Sequence, residues 1–370
     1  MIDVISTLRR AWRNLIAHID FPLLIITLAI MFVGLATVHS ATFDGNQRVF
    51  SQFGNMGVAM VIMWFVSRLP PQKLMSFAIP LYVLGVILLV AVFLFGIKVN
   101  GARRWLPLGF TRIQPSEIMK IAMPLMLAWY FQKYEATLKM KHYFVAAMLL
   151  LIPFALIAKQ PDLGTALLVG SAGFYVIFFA GLPWKIIVGM IAAAAAAAPV
   201  LWGMMHDYQQ KRILTLIDPT TDPLGSGYHI IQATIAIGSG GAIGKGYLNG
   251  TQTHLEFIPE KHTDFIFAVF SEEWGLIGNA LLVFLYTLLI GRGLIIASSA
   301  PTLFSRLLAG AITLGFFTYA FINMGMVSGI LPVVGVPLPF MSYGGTALVT
   351  LFLGVGILMS IHTHRMLVKK

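Results

Sequence analysis

The run PLLIITLAIMFVGLATV, Pro22 to Val38, goes seventeen residues without a charge, and LYVLGVILLVAVFLFGI, Leu81 to Ile97, does the same. About 20 apolar residues in a helix cross a hydrocarbon layer, and a helix satisfies its own backbone polar groups where no water can. No stretch alternates with the period of a barrel strand, so the chain reads as an all-α integral membrane protein. Composition agrees: 58% of residues are hydrophobic and only 11% charged, far from a soluble domain.

Ten spans are expected, over Phe21–Val38, Gly54–Val66, Leu74–Ile97, Ser116–Phe131, Tyr143–Ala158, Gly164–Gly181, Trp184–Met205, Phe265–Ile290, Leu307–Gly325 and Gly345–Ile361, forming a single polytopic domain over 1–370. The first apolar run is too long for a signal-peptide core and has no small-residue cleavage site, so a retained helix is expected. Arg9, Arg10 and Arg13 before the first span, and Arg365, Lys369 and Lys370 after the last, place both termini in the cytoplasm, which an even number of crossings satisfies. Arg68, Lys73, Lys133, Lys139, Lys141, Lys185, Arg292 and Arg306 then fall in inner loops. The net charge of +11 is thus spread over short loops rather than gathered on one soluble face, and nucleic acid is not an expected partner. With no cysteine, disulfides and thiolate metal sites are excluded.

Two expected outer segments break the charge rule. Lys98, Arg103, Arg104 and Arg112 lie in KVNGARRWLPLGFTRIQPS, and Lys211, Arg212, Lys245 and Lys261 punctuate the large outer loop 206–264. Cations kept on the side that topology disfavours point to an anionic ligand. The same loop is expected to carry a short surface helix at YHIIQATIAIG before the cluster GSGGAIGKGYLNG, whose glycines lack the spacing and flanking strand of a phosphate loop, so an ATPase is not expected. His206, His229, His254 and His262 lack metal-ligand spacing. The heptalanine Ala192–Ala198 is expected to be a helix face for close packing. The uncharged connection MVSGILPVVGVPLPFMSYGG either dips into the membrane or lies as a plain lipid-facing loop.

Charges inside or beside the spans are few enough to weigh singly, since each costs roughly 2.5–3.5 kcal/mol at a helix centre on insertion scales. Glu117 and Lys120 in QPSEIMK stand three apart on one helix face, as a packing ion pair or as the wall of a polar cavity. Asp162 in QPDLGT is placed to cap the following helix, and Thr263 and Asp264 invite the same plain reading. Asp264, however, follows Lys261 and His262 at the rim where the cations collect. Glu272 lies two turns further on, rotated by about 80°, and Glu273 faces nearly the other way. Neither is expected to be catalytic; one pairs with a neighbouring cation or stays protonated.

Taken in order, GARRW (101–105), QPSEIMK (114–120), QPDLGT (160–165), HTDFIF (262–267) and LPFMSYGG (338–345) resemble the signature blocks of the SEDS family (shape, elongation, division and sporulation; the FtsW/RodA family). HDYQQKR, VVGVPLPF and IHTHR look more like the elongation branch, RodA, than the division branch, FtsW. Trp274, where relatives usually carry an aliphatic residue, and Arg103, an added cation, depart from the pattern.

The resemblance implies a peptidoglycan glycosyltransferase that polymerises lipid II into β-1,4 glycan strands during cell elongation, in the bacterial inner membrane with its site facing the periplasm. It implies Asp264 as general base for the acceptor 4-hydroxyl. Arg104, Lys120 and Arg212 would face the departing pyrophosphate, with Glu117 orienting Lys120 and Asp162 shaping the cavity floor. Lys261 and His262 would complete the substrate-binding strip. No tightly bound cofactor is implied, although a divalent cation (Mg or Mn) on the pyrophosphate stays open. The implied partners are a class B penicillin-binding protein and other elongation-complex proteins. Two other classes use similar residues: a flippase of lipid-linked precursor, which should show broken helices in matching halves, and a scaffold, which would have no need of costly charges gathered at one end.

Overall fold

The computed structural model describes residues 17–42, 47–99, 102–107, 112–205, 207–222, 225–255, 257–258 and 260–365. Of the residues singled out above, Arg9, Arg10, Arg13, Gly101, His206, Lys369, Lys370 and the side chains of Lys98 and Arg212 lie outside them.

Each of the ten apolar stretches is a helix. They are α1 (Phe21–Ala41), α2 (Gln47–Ser67), α4 (Ala78–Phe95) after the short α3 (Pro71–Ser76), α5 (Pro115–Lys133), α6 (Met140–Ala158), α7 (Leu163–Phe179), α8 (Trp184–Met204), α12 (Ile266–Ser298), α13 (Leu303–Val327) and α14 (Gly345–His364). Seven of them, α1, α2, α4, α6, α12, α13 and α14, are long and apolar enough to cross a membrane. The protein is a multi-pass membrane protein. Local chemistry sets the starts: Asp20 Oδ1 accepts the Leu23 N–H at 2.9 Å, Thr302 Oγ1 accepts that of Ser305 at 3.2 Å, and Pro115 opens α5, a position where its missing N–H is harmless.

Helix α5 is the hub. It packs against α4, α7, α13 and α14 and is buried on nearly every face, so near its start Lys120 is buried among neighbouring helices with the half-buried Glu117 beside it. At the end opposite Asp264, α1, α12 and α14 are tied by Asp20, which accepts Arg292 Nε at 3.1 Å and Nη2 at 2.5 Å and faces His362 Nε2 at 3.4 Å.

Four features differ from the sequence reading. A small antiparallel sheet, β1 (Ile97–Val99), β2 (Ala102–Pro107) and β3 (Arg112–Ile113), lies where no strand was expected, with Lys98 opposite Arg103 and Leu106 opposite Ile113. Among the described residues the heptalanine of α8 is left without a close-packed partner: Ala197 is half-buried and the other six of Ala192–Ala198 are exposed. Seven consecutive residues wrap almost two turns, so alanine covers every side of the helix rather than one face. The surface helix, α10 (Ser226–Ser239), is present but docks Ile230, Ala233 and Ala236, one helical stripe, on its neighbours, chiefly α12. It is preceded by α9 (Asp207–Ile217) and followed by the single turn α11 (Thr251–His254).

The fourth feature is a break in α12. Gly275 has φ 62° and ψ −159°, a conformation essentially restricted to glycine. A break strands carbonyls on one side and N–H groups on the other, and the glycine loop satisfies both. The N–H groups of Lys245 and Gly246 reach the carbonyls of Glu272 and Glu273 at 3.0 Å each, while those of Leu276 and Ile277 reach Gly241 and Ala242 at 2.9 and 3.1 Å. Side chains would not fit: a methyl on Gly244 would meet the Glu273 carbonyl oxygen at 2.0 Å.

Candidate active site

The His262–Thr263–Asp264 strip is fastened by its backbone. Tyr343 N–H reaches the His262 carbonyl at 2.9 Å, Ser342 Oγ donates to that of Thr263 at 2.6 Å, and Asn323 Nδ2 to that of Asp264 at 2.8 Å. Ser342 Oγ in turn accepts Leu338 N–H at 2.8 Å, and Gln52 of α2 brackets the loop through the Ser342 carbonyl and the Gly344 N–H, both at 3.2 Å. LPFMSYGG and HTDFIF therefore form one unit. Of these anchors, Asn323 and Gln52 were not singled out from the sequence.

Helix α12 begins at Ile266 with Phe265 as its N-cap and without a side-chain cap bond, so the expected capping role of Thr263 and Asp264 is not realised. Thr263 Oγ1 instead bonds the Glu260 carboxylate at 3.0 Å, and the Asp264 side chain is left for other work. Burial raises its pKa to about 6, helped by the negative charge of Glu260 and opposed by Arg104. Gly335, at φ 70°, lets the 333–338 loop pass at the carboxylate: a methyl there would come within 3.3 Å of Asp264 Oδ2. The His262 ring, half-buried and facing the positive charges of Arg48 and Lys261, is pushed down to about 4 and is neutral at physiological pH.

Arg104 reaches in from β2. Its Nη2 donates to the Pro161 carbonyl at 2.6 Å and its Nε stands 3.7 Å from Asp162 Oδ2. Asp162 takes the capping role and also joins neighbouring polar groups. Oδ1 caps α7 by accepting Thr165 N–H at 3.2 Å, while Oδ2 also accepts Gln114 Nε2 at 3.2 Å. Below, Lys120 Nζ meets Glu117 Oε1 at 2.5 Å and lies 5.1 Å from the Tyr319 ring centre; the buried Glu117 Oε2 has no hydrogen-bond partner among the described residues.

Glu117 and Gln114 also line a largely apolar cleft of about 540 Å³ between α2, α4, α5 and α14, with Asn55 and Thr346 on its other walls. The structure thus brings Asp264, Arg104, Asp162, Glu117 and Lys120 into one connected region. Lys261 is buried and bonds the Thr253 carbonyl at 3.2 Å; the Arg212 side chain lies outside the described residues.

Two cations expected to await an anion are already engaged: Lys211 pairs with Asp222 at 3.0 Å and Lys245 with Glu272 at 2.7 Å. Arg48, exposed and acting on His262, is a rim cation the sequence reading passed over. Among the described residues no three His, Asp or Glu side chains converge as a metal site.

The chain is similar over most of its length to proteins of one kind. It is 50% identical to peptidoglycan glycosyltransferase MrdB of Escherichia coli (strain K12), covering 95% of this chain and 96% of that protein. It is 31% identical to peptidoglycan glycosyltransferase RodA of Treponema pallidum, covering 95% and 99%. Among solved structures, a chain from work on the coordination of polymerization and crosslinking by a peptidoglycan synthase complex superposes with TM-score 0.82 at 34% identity, covering 94% of this chain and 98% of that one. The crystal structure of the rod shape determining protein RodA of Thermus thermophilus superposes with TM-score 0.71 at 29% identity, covering 94% and 97%. A family model matches residues 12–367, which include all the blocks that build the site, and the chain belongs to the FtsW/RodA/SpoVE family of cell cycle proteins.

Proposed function

We propose that the protein is a peptidoglycan glycosyltransferase that polymerises lipid II, with Asp264 as general base. The observation that carries this reading is the strip itself: three successive carbonyls are pinned from two other elements, while the one carboxylate is uncapped, partly desolvated and poised near pH 6 beside Arg104. A base with that pKa is ionised at neutral pH yet still holds a proton appreciably, the range in which general-base catalysis is most effective. The names of the relatives support the substrate class.

In this reading the prenyl chain lies in the apolar cleft, with its polar end toward Gln114 and Glu117 and the diphosphate toward Arg104. Asp264 takes the proton of the acceptor 4-hydroxyl as that oxygen attacks the anomeric carbon of the donor. The bond from that carbon to the pyrophosphate breaks with inversion, and the departing negative charge is met by the Arg104 guanidinium and the charged rim. Any divalent cation would complete its shell with the substrate's phosphates. The site faces the periplasm of the inner membrane, and the partner is a class B penicillin-binding protein that cross-links the strand, consistent with the synthase complex whose chain it resembles.

Purified protein, alone and with that partner, is expected to convert lipid II into glycan polymer resolved on a gel. Asp264→Asn lowers the rate by on the order of 10²–10⁴-fold. Undiminished polymer from Asp264→Asn, or transfer of labelled lipid across vesicles by a protein that makes no polymer, would overturn the assignment.

A further inference from the structure

Glu272 is fully buried in α12, two turns beyond Asp264, and five donors converge on its two oxygens. Oε1 accepts Lys245 Nζ at 2.7 Å, Gln252 N–H at 2.9 Å and the Thr251 hydroxyl at 3.2 Å. Oε2 accepts the N–H and the hydroxyl of Thr253 at 3.2 and 3.1 Å. Only an acceptor at both positions satisfies this set, which is why an ionised carboxylate stands here rather than an amide. The contacts lead toward the site, because the carbonyl of Thr253 accepts Lys261 Nζ, and Lys261 immediately precedes the strip that ends in Asp264. Asn323 and Ser342 hold that strip by its backbone carbonyls; the Lys261 side chain, through Thr253, holds the residue that leads into it.

We propose that Glu272 is a positioning residue for the transfer reaction, setting through Thr253 and Lys261 where the Asp264 carboxylate stands relative to the bound sugars. This rests on the reading of Asp264 as the base. It goes beyond the anchoring of the glycine loop, which the backbone bonds around Gly275 already provide.

Glu272→Gln tests it sharply. With its oxygen at the Lys245 position the glutamine keeps three bonds, and its amide nitrogen then faces the N–H of Thr253, donor against donor, at the step that leads to Lys261. In the full-length protein acting on lipid II, a displaced strip lowers kcat by on the order of 10–100-fold, the scale of an ångström of misplacement, with KM changed less than about threefold since the lipid cleft is untouched. Because the path runs through Lys261, combining Glu272→Gln with Lys261→Met costs no more than the larger single change. A purely structural role would lower thermal stability while leaving kcat of the folded fraction at the wild-type value.

Wild-type kcat in folded Glu272→Gln, or strict additivity with Lys261→Met, overturns the proposal. Should Glu272→Gln fail to fold, Thr253→Val removes a single hydroxyl from the same path, and an unchanged kcat there overturns it equally. A dead Asp264→Asn beside a fully active Glu272→Gln defeats this inference alone, whereas an active Asp264→Asn defeats the reading beneath it.

Discussion

The Asp264 carboxylate is held where its charge is disfavoured. Its pKa in the fold, about 6 against an ordinary 3.8, means the folded protein binds the proton more tightly than the unfolded chain does. The stability this provides is complete below about pH 4 and is lost as pH rises through about 6. Asp264→Asn removes the ionised group, so it should unfold at a temperature higher by a few degrees at about pH 7.5, and the gain should vanish near pH 4. Thermal unfolding in detergent at the two pH values checks both halves. The sequence marked Asp264 because HTDFIF stands out at the rim of an apolar run. It did not mark Asn323, 59 positions from the carbonyl it holds, and although Ser342 stands in the LPFMSYGG block its bond to the Thr263 carbonyl, 79 positions away, did not show, since a side chain bonded to distant backbone leaves neither periodicity nor local motif. Arg48 was missed for the opposite reason, as it looks like any loop cation.

Among the elements, the helices were legible because long apolar runs have few alternatives. The three strands span two to six residues, too short for a period of two to emerge. The break in α12 was hidden because the sequence around Gly275, with Glu272 and Glu273 before it and apolar residues after, reads as one continuous helix, and one glycine does not show whether a helix bends. Gly275→Ala should destabilise by about 3 kcal/mol, from left-handed strain together with a methyl 2.4 Å from the Gly244 nitrogen. Gly189→Ala in α8, where nothing lies within 4 Å of the added methyl, should be neutral or gain up to about 1 kcal/mol. Denaturation midpoints of the two variants measured side by side test the contrast. The heptalanine shows a limit of composition: small residues permit close packing without supplying anything to pack against.

At the scale of the whole molecule, five short blocks far apart in sequence meet at one end of the bundle around α5, and an apolar cleft leads there from between α2 and α14. That the blocks belong together was legible from their order; the cleft was not, because its walls are ordinary apolar side chains whose meeting depends on how four helices pack. If the cleft carries the prenyl chain, Val349→Trp on its α14 wall should raise KM for lipid II about tenfold, roughly 1.4 kcal/mol of lost binding, with much less effect on a short-chain analogue. Steady-state kinetics on the two substrates checks it.

The account stands on Asp264 acting as a base whose proton affinity is set by its neighbours. The most direct measurement is the pH dependence of kcat/KM for lipid II in the wild type and in Glu260→Gln. The wild-type rate should rise with pH and level off above about pH 6, and removing the negative charge of Glu260, which raises the Asp264 pKa, should move that limb to lower pH. A profile flat from about pH 5 to 8, or a limb that Glu260→Gln leaves in place, would contradict the account.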